Sequence, residues 1–477
     1  MLCLATQAQV IYSDYSDPDV CLDQNGHYWM TSSSFQCTPG LPLLHSEDGA
    51  HWELVNHALP RLVPEAHYDS IQHGNGVWAP SIRLHKDTFY IYWGDPDYGI
   101  FMVQTKDPRG AWSDPVLVVP GKGLIDPCPI WNEDGSCYLV HAWAASRSGF
   151  NSVLSVIPLS ADGSRAIGTS RIVYEGQLEG NHTVEGPKFY RFGDYYYILA
   201  PAGGVEKGWQ LALRSKSIYG PYESKIVYNH DGIHQGGLAG DSFFAFQERT
   251  AYGRIVHRLD VEWKDGWPMM SYDPTKNKPR PLGGDKLYQW HANSKSVTGM
   301  ATPTGMRIYG HKVGDDFVNL WSVPNLYMKK FDGETFTDHL RMRVTANGKT
   351  QETGFVVMGR DYCRLSLQLE DDHFVMRQVI CRKADEGGKE ESVVVGSVPA
   401  RYYNAGARDN YDCMITFRIQ CAKGGLCSLA YSLDGKKYKS LPQTFQAREG
   451  KWIGAKYGAY SISREKNRGW ADLFLTQ

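Results

Sequence analysis

Three carboxylates stand in short proline-bearing segments: Asp17 in SDPDV, Asp126 in IDPCPI and Glu185 in VEGPKF. Trp78 in WAPSI and His234 in HQGGL stand in segments of the same look, and each of the five precedes an aromatic, strand-like run. Two carboxylates across a pocket, one ionised and one protonated, can hydrolyse a glycosidic bond: one activates water or attacks, the other protonates the leaving oxygen. A third strengthens the acid's hold on its proton by like-charge repulsion, and the flat face of a Trp suits a sugar ring. Taken singly, an acid beside a proline is more often a turn residue. Three of them, with a Trp and a His, at one recurring place make a costly cluster, and costly clusters are usually functional.

The elements that must position these residues repeat five times. Aromatic runs begin at HYWMTSSSF (27–35), TFYIYWGD (88–95), CYLVHAWA (137–144), DYYYILAPA (194–202) and DSFFAFQE (241–248). The turns HSEDGAHW (45–52), TKDPRGAW (105–112), LSADGSRA (159–166), SKSIYGPY (215–222) and VEWKDGWP (261–268) follow them. A period of roughly 50 to 60 residues is that of a four-stranded propeller blade, which predicts a five-bladed β-propeller over 11–270 with its innermost strands lining a central channel. A pair of β-sandwiches is the alternative. In that register Asp17, Trp78, Asp126, Glu185 and His234 are expected at equivalent places on the five innermost strands. Asp19 is read as turn or strand support.

The chain has 477 residues, with 50 Lys+Arg against 52 Asp+Glu. This near-neutral balance, without basic runs, argues against nucleic acid or an anionic membrane as partner, and no apolar run is long enough to span a bilayer. Ten cysteines show no C-x-x-C pair and are expected as buried free thiols, with room for a disulfide among Cys413, Cys421 and Cys427. The start MLCLATQAQ (within 1–10) reads as a signal-peptide remnant and predicts export to the periplasm or outside, with a cytoplasmic protein as the alternative. SYDPTKNKPRPLGG (271–284) reads as a linker. Beyond it, 285–477 is expected to form a β-sandwich, from the alternation in CRLSLQLE (363–370) and the hairpin turn at Asp434-Gly435.

In order, SDPDV, YWMTSSSF, GVWAPSIRLH, IDPCPIW, VEGPKFYRFGDYYYILAPAGG, HQGGL and VEWKDGWP resemble the motifs of glycoside hydrolase family 43 over essentially the whole chain. The resemblance implies a five-bladed propeller, an inverting single displacement, and β-xylosidase, α-L-arabinofuranosidase or arabinanase activity. By motif, Asp17 is similar to the general base, Asp126 to the auxiliary aspartate that tunes the acid, and Glu185 to the general acid. Phe35 and Trp78 match hydrophobic positions around the nonreducing sugar, and Arg254 matches an arginine that binds sugar hydroxyls. His234 resembles a channel histidine found beside a calcium ion or a water cluster. A structural calcium reached through water and a plain core histidine are both open there, and the reaction requires no cofactor.

LWSVPNL, GFVVMGRDY and REGKWIGAKYG resemble the concanavalin A-like C-terminal domain of exo-acting members. The expectation is therefore an exo-acting inverting glycosidase that releases terminal β-D-xylose or α-L-arabinofuranose from plant cell-wall glycans or their oligosaccharides. Asp17 and Glu185 should then lie roughly 6.5 to 9.5 Å apart. A noncatalytic sugar-binding propeller is the alternative from another class. A retaining fructan hydrolase is the alternative among enzymes, although SDPDV lacks the Asn and Gly of its N-D-P-N-G. Oligomeric state and parent glycan are left open by the sequence.

Overall fold

The computed structural model describes residues 9–404, 409–465 and 469–475; the expected signal remnant falls almost wholly outside them. The chain divides into two compact units. The first comprises Met1–Val63, Gly74–Arg249 and Arg254–Leu282, and the second Pro64–His73, Thr250–Gly253 and Gly283–Gln477.

The first unit is the five-bladed propeller. Blade 1 runs outward through Asp19–Leu22, Tyr28–Thr31, Gly40–Ser46 and Glu53–Leu59, and blade 2 through Trp78–His85, Thr88–Asp95, Gly99–Thr105 and Val116–Pro120. Blade 3 uses Leu124–Trp131, Cys137–Trp143, Val153–Leu159 and Arg171–Glu175, and blade 4 Lys188–Phe192, Tyr195–Ala202, Trp209–Ser215 and Glu223–Tyr228. In blade 5, His234–Ala239 and Ser242–Glu248 lead to the long strand Arg254–Lys264.

The aromatic runs are the second strands, and their residues explain why the blades pack. A blade is covered on both faces by its neighbours, so such a strand is apolar throughout rather than alternating; in Thr88–Asp95 every residue after the first is buried. At each of the five seams a ring from such a run meets a ring of the next blade. Tyr28 meets Phe244 at 5.8 Å between centroids, Trp29 meets Phe89 at 5.7 Å, and Tyr90 meets Trp131 at 4.8 Å. Tyr138 meets Tyr219 at 5.9 Å and Tyr197 meets Trp263 at 5.3 Å. Large rings fill the gap that widens away from the axis.

Blade 5 closes the ring with strand from both ends of the unit. Arg254–Lys264 pairs through its first half with Gln9–Ile11, in the register Ile11 opposite Val256, and through its second half with Trp267–Ser271. The expected linker 271–284 is corrected here: Lys278–Arg280 inside it pairs in parallel with Gln9–Ile11, and Asn277 accepts a hydrogen bond from the Arg258 N–H at 3.0 Å. Those groups complete the outer edge of the fifth sheet, which a free linker would leave with unpaired backbone.

The second unit is a sandwich of two large sheets. One is centred on Lys456–Ser463 and Gln351–Met358, the other on Phe336–Ala346 and Asp409–Ala422. Phe355 and Phe417, one from each sheet, stack at 5.4 Å. The alternation in 363–370 does not give an exposed face: Arg364 and Ser366 are buried as well, and Arg364 is held by Glu390 at 2.6 Å and the Tyr460 hydroxyl at 2.7 Å. Asp434 forms the expected turn, accepting the N–H groups of Lys436 and Lys437 at 2.8 Å. The nine cysteines among the described residues are free thiols. Cys421 and Cys427, directly opposite on paired strands, are not bridged.

Candidate active site

Each innermost strand is entered through one residue in the left-handed region. These are Asp17 (φ 54°), Ala79 (31°), Asp126 (56°), Gly186 (55°) and Gln235 (53°). Pro18, Pro80, Pro127, Pro187 and Gly236 follow them. The expected ring is thereby corrected. Asp17 and Asp126 do occupy equivalent positions, but Trp78, Glu185 and His234 stand one residue earlier, ahead of the left-handed residue rather than on it. Left-handed backbone is uncommon for residues other than Gly, Asn and Asp, and strained positions of this kind concentrate at functional sites.

Asp17 is 5% exposed and Asp126 3%. One Asp17 oxygen accepts the Ser33 hydroxyl at 2.6 Å and the other accepts Arg254 Nη1 at 3.0 Å. Ser33 Oγ itself accepts the Ala79 N–H at 2.7 Å, so its only proton is free to point at Asp17. Two donors on two oxygens are the partners an ionised carboxylate takes. Arg254 is aimed by its own backbone, whose N–H donates to Asp14 at 2.9 Å.

Asp126 accepts the Gly186 N–H at 2.7 Å. Burial raises its affinity for a proton, opposed by that N–H and by Lys188, with the charge of Asp17 adding to the rise. Glu185 is half-buried, and among the described residues its carboxyl accepts no hydrogen bond; only its backbone N–H is engaged, with Pro201 O at 3.3 Å. Burial raises its proton affinity, and the charges of Asp126 and Asp17 raise it further, against a smaller lowering by Arg254. Of the three acids, Glu185 alone accepts no hydrogen bond among the described residues, and burial and the two neighbouring carboxylates favour its protonated form.

A cationic layer lies one step further along the innermost strands. The Lys188 ammonium, on the blade 4 strand, donates to Pro80 O of blade 2 at 3.0 Å. Arg83 donates to Asp19 at 2.6 Å and to Cys128 Sγ at 2.9 Å, and Asp19 also accepts the Ile82 N–H at 2.8 Å. Asp19 is thus a structural acid that ties blade 1 to blade 2.

Trp78 is half-buried; its indole N–H donates to Gly74 O at 2.8 Å, and the Arg147 guanidinium lies 5.9 Å from the ring centroid. Phe35 and Val77 exchange backbone hydrogen bonds of 3.1 Å, which sets Phe35 beside Trp78. A side chain at Gly76 would collide with Phe35 O at 2.3 Å, so only glycine permits this approach. Arg254, expected to meet sugar hydroxyls, is paired with Asp17.

His234 is buried, with Nδ1 3.0 Å from Gly232 O and Nε2 2.9 Å from Gly204 O. Burial lowers its proton affinity. A neutral ring donates to one of these carbonyls and keeps a lone pair on its other nitrogen. Among the described residues no group of three or more His, Cys, Asp or Glu side chains is arranged to hold a metal. Sequence alone missed Ser33, one of three consecutive serines in TSSSF, as well as Asp14 and Lys188.

Comparison with known proteins agrees with this geometry. Residues 7–268 match the glycosyl hydrolases family 43, and residues 285–474 match the β-xylosidase C-terminal concanavalin A-like domain. A β-xylosidase of Formosa agariphila is 25% identical over 550 residues, covering 97% of this chain and 88% of its own. A non-reducing end α-L-arabinofuranosidase of Bacteroides ovatus is 37% identical over 216 residues, covering 44% of this chain and 39% of its own. A solved xylan β-1,4-xylosidase of Bacillus halodurans has a TM-score of 0.76 at 18% identity over 98% of each chain, a likeness of fold. Because the family match over residues 7–268 takes in more than half of the sequence and all three carboxylates, the chain belongs to glycoside hydrolase family 43 and is a glycosidase.

Proposed function

We propose that the enzyme releases a terminal β-D-xylose or α-L-arabinofuranose from plant cell-wall glycans or their oligosaccharides by single displacement with inversion. Asp17 takes a proton from the attacking water as its oxygen bonds the anomeric carbon. Glu185 gives its proton to the leaving oxygen as the glycosidic bond breaks on the opposite face. Asp126 touches neither reacting atom: held by the Gly186 N–H, it keeps negative charge beside Glu185 and orients the sugar. Trp78 and Phe35 supply apolar surface for the ring. The steps need no metal, because general acid and general base together carry both proton transfers.

The observation that carries this reading is the contrast between two carboxyls. Asp17 is bonded by Ser33 and Arg254, whereas Glu185 has no hydrogen-bond donor among the described residues and a raised proton affinity. Different environments assign base and acid. The relatives named β-xylosidase and α-L-arabinofuranosidase support the choice of sugars.

The test is release of p-nitrophenol from the β-D-xylopyranoside and the α-L-arabinofuranoside by wild type, Asp17→Ala and Glu185→Ala. The product anomer is read by proton NMR before mutarotation. Turnover lost in both variants and an inverted anomer are expected. A retained anomer would overturn the single displacement, and sugar binding with no turnover would make the protein a carbohydrate-binding propeller.

A further inference from the structure

The five left-handed positions that open the innermost strands carry Asp17, Ala79, Asp126, Gly186 and Gln235. Two of them hold two of the site's three carboxylates, Asp17 and Asp126. A third, Gly186, has no side chain, and the space a Cβ would take there is already occupied: it would lie 3.0 Å from Gln235 Nε2 and 3.1 Å from its Cδ and Cγ. The Gln235 amide therefore lies over Gly186, the residue whose N–H holds Asp126 and which directly follows Glu185.

Gln235 is built into place. Its backbone N–H donates to Gln210 Oε1 at 3.0 Å; Gln210 is 1% exposed, and its own amide donates to Leu211 O at 3.2 Å. On one side Gly236 packs so tightly that a Cβ would sit 1.8 Å from Phe244 O. On the other, the His234 ring is fixed between two carbonyls. A bulky, flexible residue in left-handed backbone is uncommon, yet here three neighbours enforce it.

Gln235 is 5% exposed, and among the described residues its side chain makes no hydrogen bond, although its polar atoms are not sealed from solvent. A buried amide without a partner is costly, and native structures avoid it unless a ligand or water completes the set. It offers two donors and one acceptor in one plane, which suits a sugar hydroxyl that both gives and takes a hydrogen bond.

We propose that Gln235 is a specificity-determining residue that hydrogen-bonds one hydroxyl of the nonreducing-end pentose, beside Asp126 and Glu185. This rests on the glycosidase reading above and refines it. A site built to bond a hydroxyl rejects the analogue that lacks it, because its own polar group is then left unpaired.

The experiment is a cycle of protein and substrate changes. Gln235→Gly removes the side chain, and Gln235→Asn keeps a shorter amide; both residues accept left-handed backbone, and thermal melting verifies that each variant folds. Each is assayed on the p-nitrophenyl glycoside that wild type prefers and on its singly deoxygenated analogues. The cycle cancels the intrinsic reactivity of each analogue. Gln235→Gly is expected to lower kcat/KM on the parent glycoside on the order of ten-fold and to abolish the wild-type penalty for one deoxy analogue only. Gln235→Asn should restore part of that penalty. If every penalty is unchanged while the rate falls evenly, the residue is structural and the inference is overturned, with the glycosidase reading intact. If wild type cleaves neither the xyloside nor the arabinofuranoside, the proposed release of a terminal pentose fails and takes the inference with it.

Discussion

Arg254 donates to Asp17 at 3.0 Å across 237 residues of sequence, and both side chains are buried. The guanidinium acts on all three acids, Asp126 among them, whose raised proton affinity its charge opposes. It bonds one Asp17 oxygen directly, and its charge opposes the rise in the proton affinity of Glu185.

Arg254→Met should therefore do two separable things. Breaking a buried pair on one side costs about 3–5 kcal/mol of stability, read as a lower melting temperature. With its cation gone, Glu185 keeps its proton to higher pH, so the alkaline limb of kcat/KM moves upward while the maximum falls. A limb that stays in place would show that Arg254 does not act on the acid.

Loss of the acid should depend on the leaving group. Glu185→Ala should lower kcat/KM on p-nitrophenyl glycosides by roughly 10²- to 10⁴-fold. The loss should be smaller on a 2,4-dinitrophenyl glycoside, whose aglycone departs without a proton. Comparable losses on both would assign Glu185 another task.

The acid also bears on stability, with a definite sign. A carboxyl whose folded-state proton affinity is raised costs nothing at low pH, where folded and unfolded chains are both protonated. As pH rises past the unfolded value the unfolded chain ionises first, so stability declines through that window and levels off above the folded value. Glu185→Gln should accordingly raise the melting temperature at pH 8 and leave it unchanged near pH 4. Equal shifts at both would contradict the raised affinity.

Ser33→Ala removes the donor to Asp17 and the acceptor of the Ala79 N–H together. The expected stability loss is about 1–3 kcal/mol for buried groups left without partners. kcat should fall, because the base loses its orientation, and KM should hardly move. Ser33→Thr should recover part of kcat, which a mere loss of packing would not predict.

Gly237 packs against blade 1, where a Cβ would meet Asp19 Oδ1 at 2.4 Å and Val20 N at 2.6 Å. Gly237→Ala must push this seam apart, at a cost of about 1–3 kcal/mol or more. Urea unfolding should show the lower midpoint. A variant as stable as wild type would mean the seam yields without penalty.

The blades were legible in the sequence because second strands covered on both faces show unbroken aromatic runs such as TFYIYWGD, and because their outer turns carry Gly and Pro. The register of the site was legible only to within one residue. Residue type led the eye to Trp78, Glu185 and His234, while the backbone repeats on Ala79, Gly186 and Gln235, which have no common chemistry. Arg254 was visible as a charge, but its partner depends on a contact between the first and last blades. Ser33 looked like its two serine neighbours, since nothing local distinguishes the one hydroxyl that meets an aspartate. Ring closure through Gln9–Ile11 was hidden for a similar reason: three residues carry no periodicity, and the partner strand lies far along the chain.

That closure also sets when the enzyme becomes an enzyme. Gln9–Ile11 precedes blades 1 to 4 in the chain, and Arg254–Lys264, its partner, follows all four. Until that partner is in place the early strand has no mate in its sheet. Tyr15 N–H bonds Arg254 O at 2.9 Å, and Asp14 and Asp17 bond the same residue, so the joint that shuts the ring and the joint that arms the base are one and the same. A nascent or nicked propeller lacking its last blade would hold all three acids and still have no primed base. Recovery of activity during refolding therefore requires that this joint has closed.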